Sequence, residues 1–248
     1  MSRVYRGFRI TWKVIKFLFF ALIFSLIALL LWRVFSSGDP KSMQALTPND
    51  RLAAAYAERG ESLSMFRQEQ RTITSAEKNY GYFSVTECVF IPDANQIQIV
   101  VRYNNSTLRS LAADYGLPDV PSREEELFDV TLTVATDLTP EISEDNAGND
   151  STAVAQTRVF PTSVSRDQKN LYNYRRFVFD LGTVEMSLPA LLESDGLLAV
   201  YADIYYNGDV RYDEPAYGTL CLYDYLSEKL PAKLEKQDKA VLDDYLGR

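Results

Sequence analysis

Phe17–Trp32 reads FLFFALIFSLIALLLW and contains no charge, no Pro and no Gly. A run this apolar must be covered by lipid or by protein. Between Lys16 and Arg33 it is 16 residues long, about 24 Å as a helix, slightly less than a ~30 Å hydrocarbon core. If Lys16 and Arg33 snorkel, Val14–Phe35 provides 22 residues, which spans comfortably. Trp12 and Trp32 stand near the two ends, where interfacial aromatics belong. A cleaved signal peptide competes with this reading. Its apolar region is usually about 7–15 residues, and Val34-Phe35-Ser36 would serve as a cleavage site. No Cys follows the run to carry a lipid. A buried core helix is the third option, but the rest of the chain offers no apolar wrap. The expectation is a transmembrane anchor over residues 17–35 that contacts membrane lipid.

Charge orients that anchor. Six of the 26 basic residues lie in the first 35 positions, which hold no Asp or Glu. The other 20 face all 34 acidic residues, so the body carries a net charge of −14. Five of the six (Arg3, Arg6, Arg9, Lys13, Lys16) precede the apolar run. The positive-inside rule then places residues 1–16 in the cytoplasm as a basic tail and the body outside, as a single-pass protein of the cell membrane. Residues 36–46 are polar with Gly38 and Pro40, which suits a tether. An acidic body disfavours nucleic acid, whose binding rests on Lys and Arg neutralising phosphates.

Composition removes much chemistry. Histidine is absent, which excludes His triads, His bases and His metal ligands. Two Cys cannot build a four-thiolate zinc site. No cofactor or metal is expected.

Residues 47–80 read as a short helical neck. Thr47 is the expected cap with Pro48 in the first turn. RLAAAYAE then continues until Gly60, and a second short helix is expected over 61–70. The neck is expected to pack on the body or act as a spacer; a dimerising neck would need a longer heptad repeat.

The body, residues 81–226, is strand-rich. Phe83, Val85, Val89 and Ile91 alternate, with Glu87 the exception. Pro92–Asn95 is turn chemistry, and Ile97, Ile99, Val101 and Tyr103 alternate in return, which predicts a hairpin. A short helix is expected over 106–115. Further strands are expected at 127–135, 153–160, 172–181, 197–206 and 219–225, with a helical turn at 188–193. Asn207-Gly208 signals a hairpin with a return strand near 209–213. Some seven short strands predict a mainly β fold: an antiparallel β-sandwich of immunoglobulin-like or fibronectin-like architecture. The Cys-Trp-Cys pattern of antibody domains is missing, since both Trp lie in the first 32 residues. Residues 227–248 predict a C-terminal helix opened by Pro231. Its apolar positions are Leu234, Val241, Leu242, Tyr245 and Leu246, packed on the sandwich or docked on a partner.

Four groups of residues are candidates for function. Cys88 and Cys221, on the first and last expected strands, are a candidate disulfide pair outside the cytoplasm; the alternative is two small core residues. Glu144, Asp145, Asn146, Asn149 and Asp150 offer oxygens to Ca²⁺, without EF-hand spacing; a solvated loop is the simpler reading. Tyr201, Asp203 and Tyr205 share one strand face and could form a stacking platform with a carboxylate for a glycan or peptide. Ordinary cross-strand packing is the competing account. Asp209, Asp213 and Glu214 are a weak candidate for paired-carboxylate hydrolysis. Sequons at Asn104, Asn105 and Asn149 matter only in a glycosylating pathway. The expected function is a membrane-anchored extracytoplasmic β-sandwich that acts as an interaction or accessory protein of the cell envelope, without catalysis. Its partner is expected to be a protein at the envelope. The alternative is a glycan- or peptide-binding module using the Tyr-rich hairpin near 201–225.

Overall fold

The computed structural model describes residues 2–36, 38–68, 71–72, 83–114, 116, 128–137, 154–206, 218–226 and 228–248. They divide into two compact units, Met1–Asp39 and Pro40–Arg248.

The first unit is helix α1, Ser2–Ser36. Its Val14–Trp32 stretch has a mean hydropathy of 2.8 and none of it is buried. Phe17–Trp32 contains no Gly or Pro to break a helix and is rich in Leu and Ala, so the helix runs uninterrupted through the apolar stretch.

The second unit is two antiparallel sheets packed face to face, with helices added. Its helices are α2 (Asp50–Arg59), α3 (Asn105–Asp114), α4 (Leu188–Glu193) and α5 (Lys236–Tyr245). Strands β1 to β4 are Phe66–Gln68, Arg71–Thr72, Ser84–Ile91 and Gln96–Asn104. Strands β5 to β8 are Phe128–Asp137, Val154–Val159, Ser163–Lys169 and Tyr172–Asp180. Strands β9 to β11 are Leu197–Tyr206, Gly218–Asp224 and Leu230–Pro231. The first sheet runs β11-β1-β3-β4-β8-β7, with β2 also on β3; the second runs β10-β9-β5-β6. Phe90, Ile99, Phe128, Leu132, Phe177 and Ile204 meet in the core between them. The two packed sheets, the N-terminal apolar helix and the C-terminal helix match the sequence expectation.

The β3–β4 hairpin forms where the pattern predicts, with Ile91 opposite Gln96 and Asn95 left-handed at φ 54. The expected face of β3 does not persist. The register shifts between Val85 and Glu87. A bulge places two residues against one on the partner strand, so facing changes beyond it. Phe83, Val85, Cys88 and Phe90 therefore enter the core between the sheets. Glu87, Val89 and Ile91 turn to the other side of the sheet.

That other side is not solvent. Val89 and Ile91 pack in a second cluster with Leu46, Leu52, Leu63 and Met65 from the start of the unit and with Leu234 and Leu242 from its end. Residues 40–49 cross this face as a strap. Gln98 Oε1 accepts from the Thr47 amide at 2.9 Å and Gln98 Nε2 donates to the Thr47 carbonyl at 3.0 Å. Burying one face of the sheet against the strap and helices and the other against a second sheet explains why β3, β4 and β8 are buried on both sides along most of their length.

Several elements differ from expectation. Asn49, not Thr47, caps α2: its Oδ1 accepts from the Leu52 amide at 2.9 Å. The helix expected over 61–70 is a single 3-10 turn, Gly60–Ser62, followed by β1. Leu63 and Met65 are both buried at a spacing of two, which suits extended chain. Pro231 does not open the terminal helix. It lies in β11 opposite Phe66, at a sheet edge where a missing N–H is tolerated. The helix begins at Lys236 behind a Glu235–Asp238 capping box. Strand β7 was not expected; Ser163–Lys169 is polar on both faces because it is an exposed edge. The Asn207-Gly208 turn and the return strand at 209–213 lie outside the described residues.

Candidate functional site

Tyr201, Asp203 and Tyr205 do share one face of β9, the face turned away from Val200, Ala202 and Ile204 in the core. Pairing brings neighbours to them that the local sequence does not reveal. Asp203 lies opposite Thr131 on β5 and Thr219 on β10. Its Oδ2 accepts from Thr133 Oγ1 at 2.5 Å and its Oδ1 from Thr219 Oγ1 at 2.8 Å. Both oxygens are thus engaged by hydroxyls from the two flanking strands. Arg158 of β6 donates to Tyr205 Oη at 3.0 Å and holds its guanidinium 5.3 Å from the ring centroid. Burial, and then the Asp203 carboxylate, raise the Tyr205 hydroxyl above its ordinary value against the pull of Arg158.

This cluster is ordered and polar but not an open platform. Asp203 is 6% exposed and Tyr205 7%, while Tyr201 is half-buried. The face spends most of its hydrogen-bonding capacity on itself. No periodic signal points to Arg158, because its place beside Tyr205 depends on the β6–β5–β9 pairing of distant segments.

A second concentration of charge lies under the strap. Arg176 of β8 is fully buried. Its Nη2 donates to the Met43 carbonyl and to Glu87 Oε2, each at 2.5 Å. Arg67 of β1 reaches the other Glu87 oxygen at 3.0 Å and Glu235 at 3.4 Å. Asp238 of α5 is also fully buried. It accepts from the Leu46 amide at 2.9 Å and from the Glu235 amide at 2.8 Å. Burial raises the Glu87 carboxyl above the usual carboxylate value; Arg176 and Arg67 oppose that shift and Asp238 reinforces it. The arrangement ties strap, sheet and terminal helix together. An unpaired buried charge would be costly, and here each carboxylate meets cations or amides.

Cys88 and Cys221 sit in different sheets, on β3 and β10, and both are thiols. Cys88 is buried, and that burial pushes its thiol far above the ordinary value. Cys221 is half-buried and its Sγ lies 3.3 Å from the Tyr223 carbonyl oxygen. Among the described residues no three His, Cys, Asp or Glu side chains converge as a metal site. The oxygen-rich loop from Glu144 to Asp150 and the carboxylates Asp209, Asp213 and Glu214 lie outside the described residues. Asn104 is committed locally: its Oδ1 accepts from the Thr107 amide at 2.9 Å at the start of α3. Comparison with protein-family models, with curated proteins and with solved structures finds no match.

Proposed function

We propose that the chain is a membrane-anchored interaction protein of the cell envelope, with the acidic β-sandwich held outside the cytoplasm and without catalytic activity. One observation carries this reading. Val14–Trp32 is helical and unburied along its whole length and, Lys16 apart, free of charge, with Phe17 and Phe24 each 73% exposed. Soluble proteins rarely leave contiguous apolar patches larger than a few hundred Å² uncovered. Lipid is the natural cover, and the basic excess before the span favours a cytoplasmic N-terminus. Anchoring confines the sandwich to a surface and raises its effective concentration near a partner there.

Among the described residues, the buried carboxylates and the buried thiol of the body are turned inward. Glu87, Asp203 and Asp238 are engaged in internal bonds, and Cys88 is protonated and enclosed. The Tyr201–Asp203–Tyr205 face gives weaker support to a glycan- or peptide-binding module, because two of its three side chains are buried.

Membranes washed at alkaline pH test the anchor: the full chain is expected to stay in the pellet. Protease added to right-side-out vesicles is expected to digest the body and spare the N-terminal tail. Release of a product lacking roughly the first 36 residues, read by intact mass, would replace the anchor with a cleaved signal peptide. Crosslinking in intact membranes is expected to capture a second protein; recovery of the chain alone would count against an accessory role.

A further inference from the structure

Residues 43–47 of the strap are held as a bound peptide is held. Four body side chains bond five of their backbone groups. Arg176 Nη2 of β8 donates to the Met43 carbonyl at 2.5 Å, and Gln237 Nε2 of α5 donates to the Gln44 carbonyl at 3.4 Å. Asp238 Oδ1 of α5 accepts from the Leu46 amide at 2.9 Å. Gln98 of β4 takes both backbone groups of Thr47, the amide at 2.9 Å and the carbonyl at 3.0 Å. Gln98, Arg176 and Asp238 are fully buried. Bonds of this kind read main chain, as a neighbouring strand would, without regard to side-chain identity. Identity enters at two places. Met43 and Leu46, three positions apart, are 1% and 2% exposed. Met43 packs with Val100 and Tyr174, and Leu46 joins the cluster around Val89 and Ile91. Main-chain capture with apolar anchors in pockets is how proteins bind extended segments.

The seated segment does not use all that the cleft offers. Arg176 Nε and Gln96 Oε1 belong to fully buried side chains that bond the strap, yet neither atom has a hydrogen-bond partner among the described residues. Buried polar atoms are costly to leave unpaired, so a better-matched segment gains where the strap does not. A recess of about 380 Å³ also runs along the strap beside α5 and β7, so one flank of the segment borders open space. We propose that the cleft between β4, β8 and α5 binds an extended segment of a partner protein, and that the strap is its resident, displaceable occupant. The partner segment presents main chain to Arg176, Gln98, Gln237 and Asp238. It places two side chains of Met or Leu size, three positions apart, where Met43 and Leu46 sit. The strap is joined to the body and acts at high effective concentration. The cleft is therefore closed against weak ligands and opens to a segment that binds better or is concentrated nearby. This inference rests on the reading of the chain as an interaction protein and is independent of the anchor.

The test uses the full chain in detergent and a fluorescein-labelled peptide of residues 40–48, read by anisotropy. Met43→Ser with Leu46→Ser in the chain weakens the occupant and keeps the cleft. The peptide is expected to bind that variant at least about tenfold more tightly than the unmodified chain, because apparent affinity scales with the fraction of open cleft. The same peptide with Ser at both anchors is expected not to bind. Adding Gln98→Leu to the weakened chain is expected to lower peptide affinity about tenfold, since both bonds to one residue are lost. No binding to the weakened chain, equal binding to the two chains, or equal binding by the two peptides would overturn the proposal. If the weakened chain loses its far-UV circular dichroism, hydrogen exchange of the unmodified chain decides. Excess peptide is expected to speed exchange of the Leu46 and Thr47 amides at least about fivefold while the Ile99 and Phe177 amides stay protected. Unchanged exchange in the strap would overturn the proposal. Either failure, with a partner still captured by crosslinking in membranes, removes this site and leaves the interaction role standing. Crosslinking that captures no partner removes the role itself.

Discussion

Glu87 interrupts an otherwise apolar alternation, and its setting explains why a carboxylate is tolerated there. It meets Arg176 and Arg67, with Asp238 close enough to add repulsion. Burial dominates, so the folded carboxyl binds its proton more tightly than the unfolded chain does. Between the ordinary value of about 4.3 and the raised folded value, the folded state holds more protons. The contribution of Glu87 to stability is therefore fully present below the unfolded value and is lost as pH rises through the folded one. Relative to Glu87→Gln, the unmodified chain is expected to gain stability as pH falls from 7 toward 4, measured by urea midpoints in detergent. A difference that shrinks on acidification would mean that ion pairing outweighs burial. Asp238 makes a simpler case. Asp238→Ala would strand the buried Leu46 amide, at about 1–3 kcal/mol, and free the part-buried Glu235 amide at a smaller cost, and urea unfolding would read the loss. The two thiols should also differ: a maleimide is expected to modify Cys221 well before Cys88, whose enclosed thiol is held in its unreactive protonated form.

Elements were legible where one rule governed them. The β3–β4 hairpin followed from alternation and a turn, and strands β5, β8 and β9 from apolar spacing alone. What escaped depended on contacts between distant segments. The turned face of β3 requires a bulge that no residue type announces. Strand β7 has no apolar stripe because a sheet edge does not require one. Strands β1 and β11 are three and two residues long; β1 exists because it pairs with β3, and β11 because it pairs with β1. At Tyr201–Asp203–Tyr205 the shared face was readable from period two, whereas Arg158 and the Thr133 and Thr219 donors came from strands whose pairing is not local. The caps follow the same division. Asn49 caps α2 and also accepts from Gln96 Nε2 at 2.8 Å across the sheet face. Asn49→Ala is expected to lose both, at about 1–2 kcal/mol. Thr47→Ala is expected to cost much less, because the strap is held there by the Thr47 backbone. Thermal unfolding of the two variants side by side would separate the readings.

At the scale of the whole molecule, both ends of the second unit close on one side of one sheet. Leu46 and Leu52 near its start share a cluster with Leu234 and Leu242 near its end. Leu242→Ala is expected to cost about 2–5 kcal/mol, read from the same urea series, because it empties the centre of that cluster. Asp238 accepts from a backbone amide 192 positions earlier in the chain. A ribosome makes these two partners far apart in time. The strap emerges early and stays incomplete until residues 234–242 have followed it. Throughout synthesis Val89 and Ile91 lack the terminal helix that covers them, so the nascent chain carries a defined sticky surface. A ribosome stalled shortly before residue 234 would hold that face uncovered, as a fixed target for any chaperone that reads apolar surface.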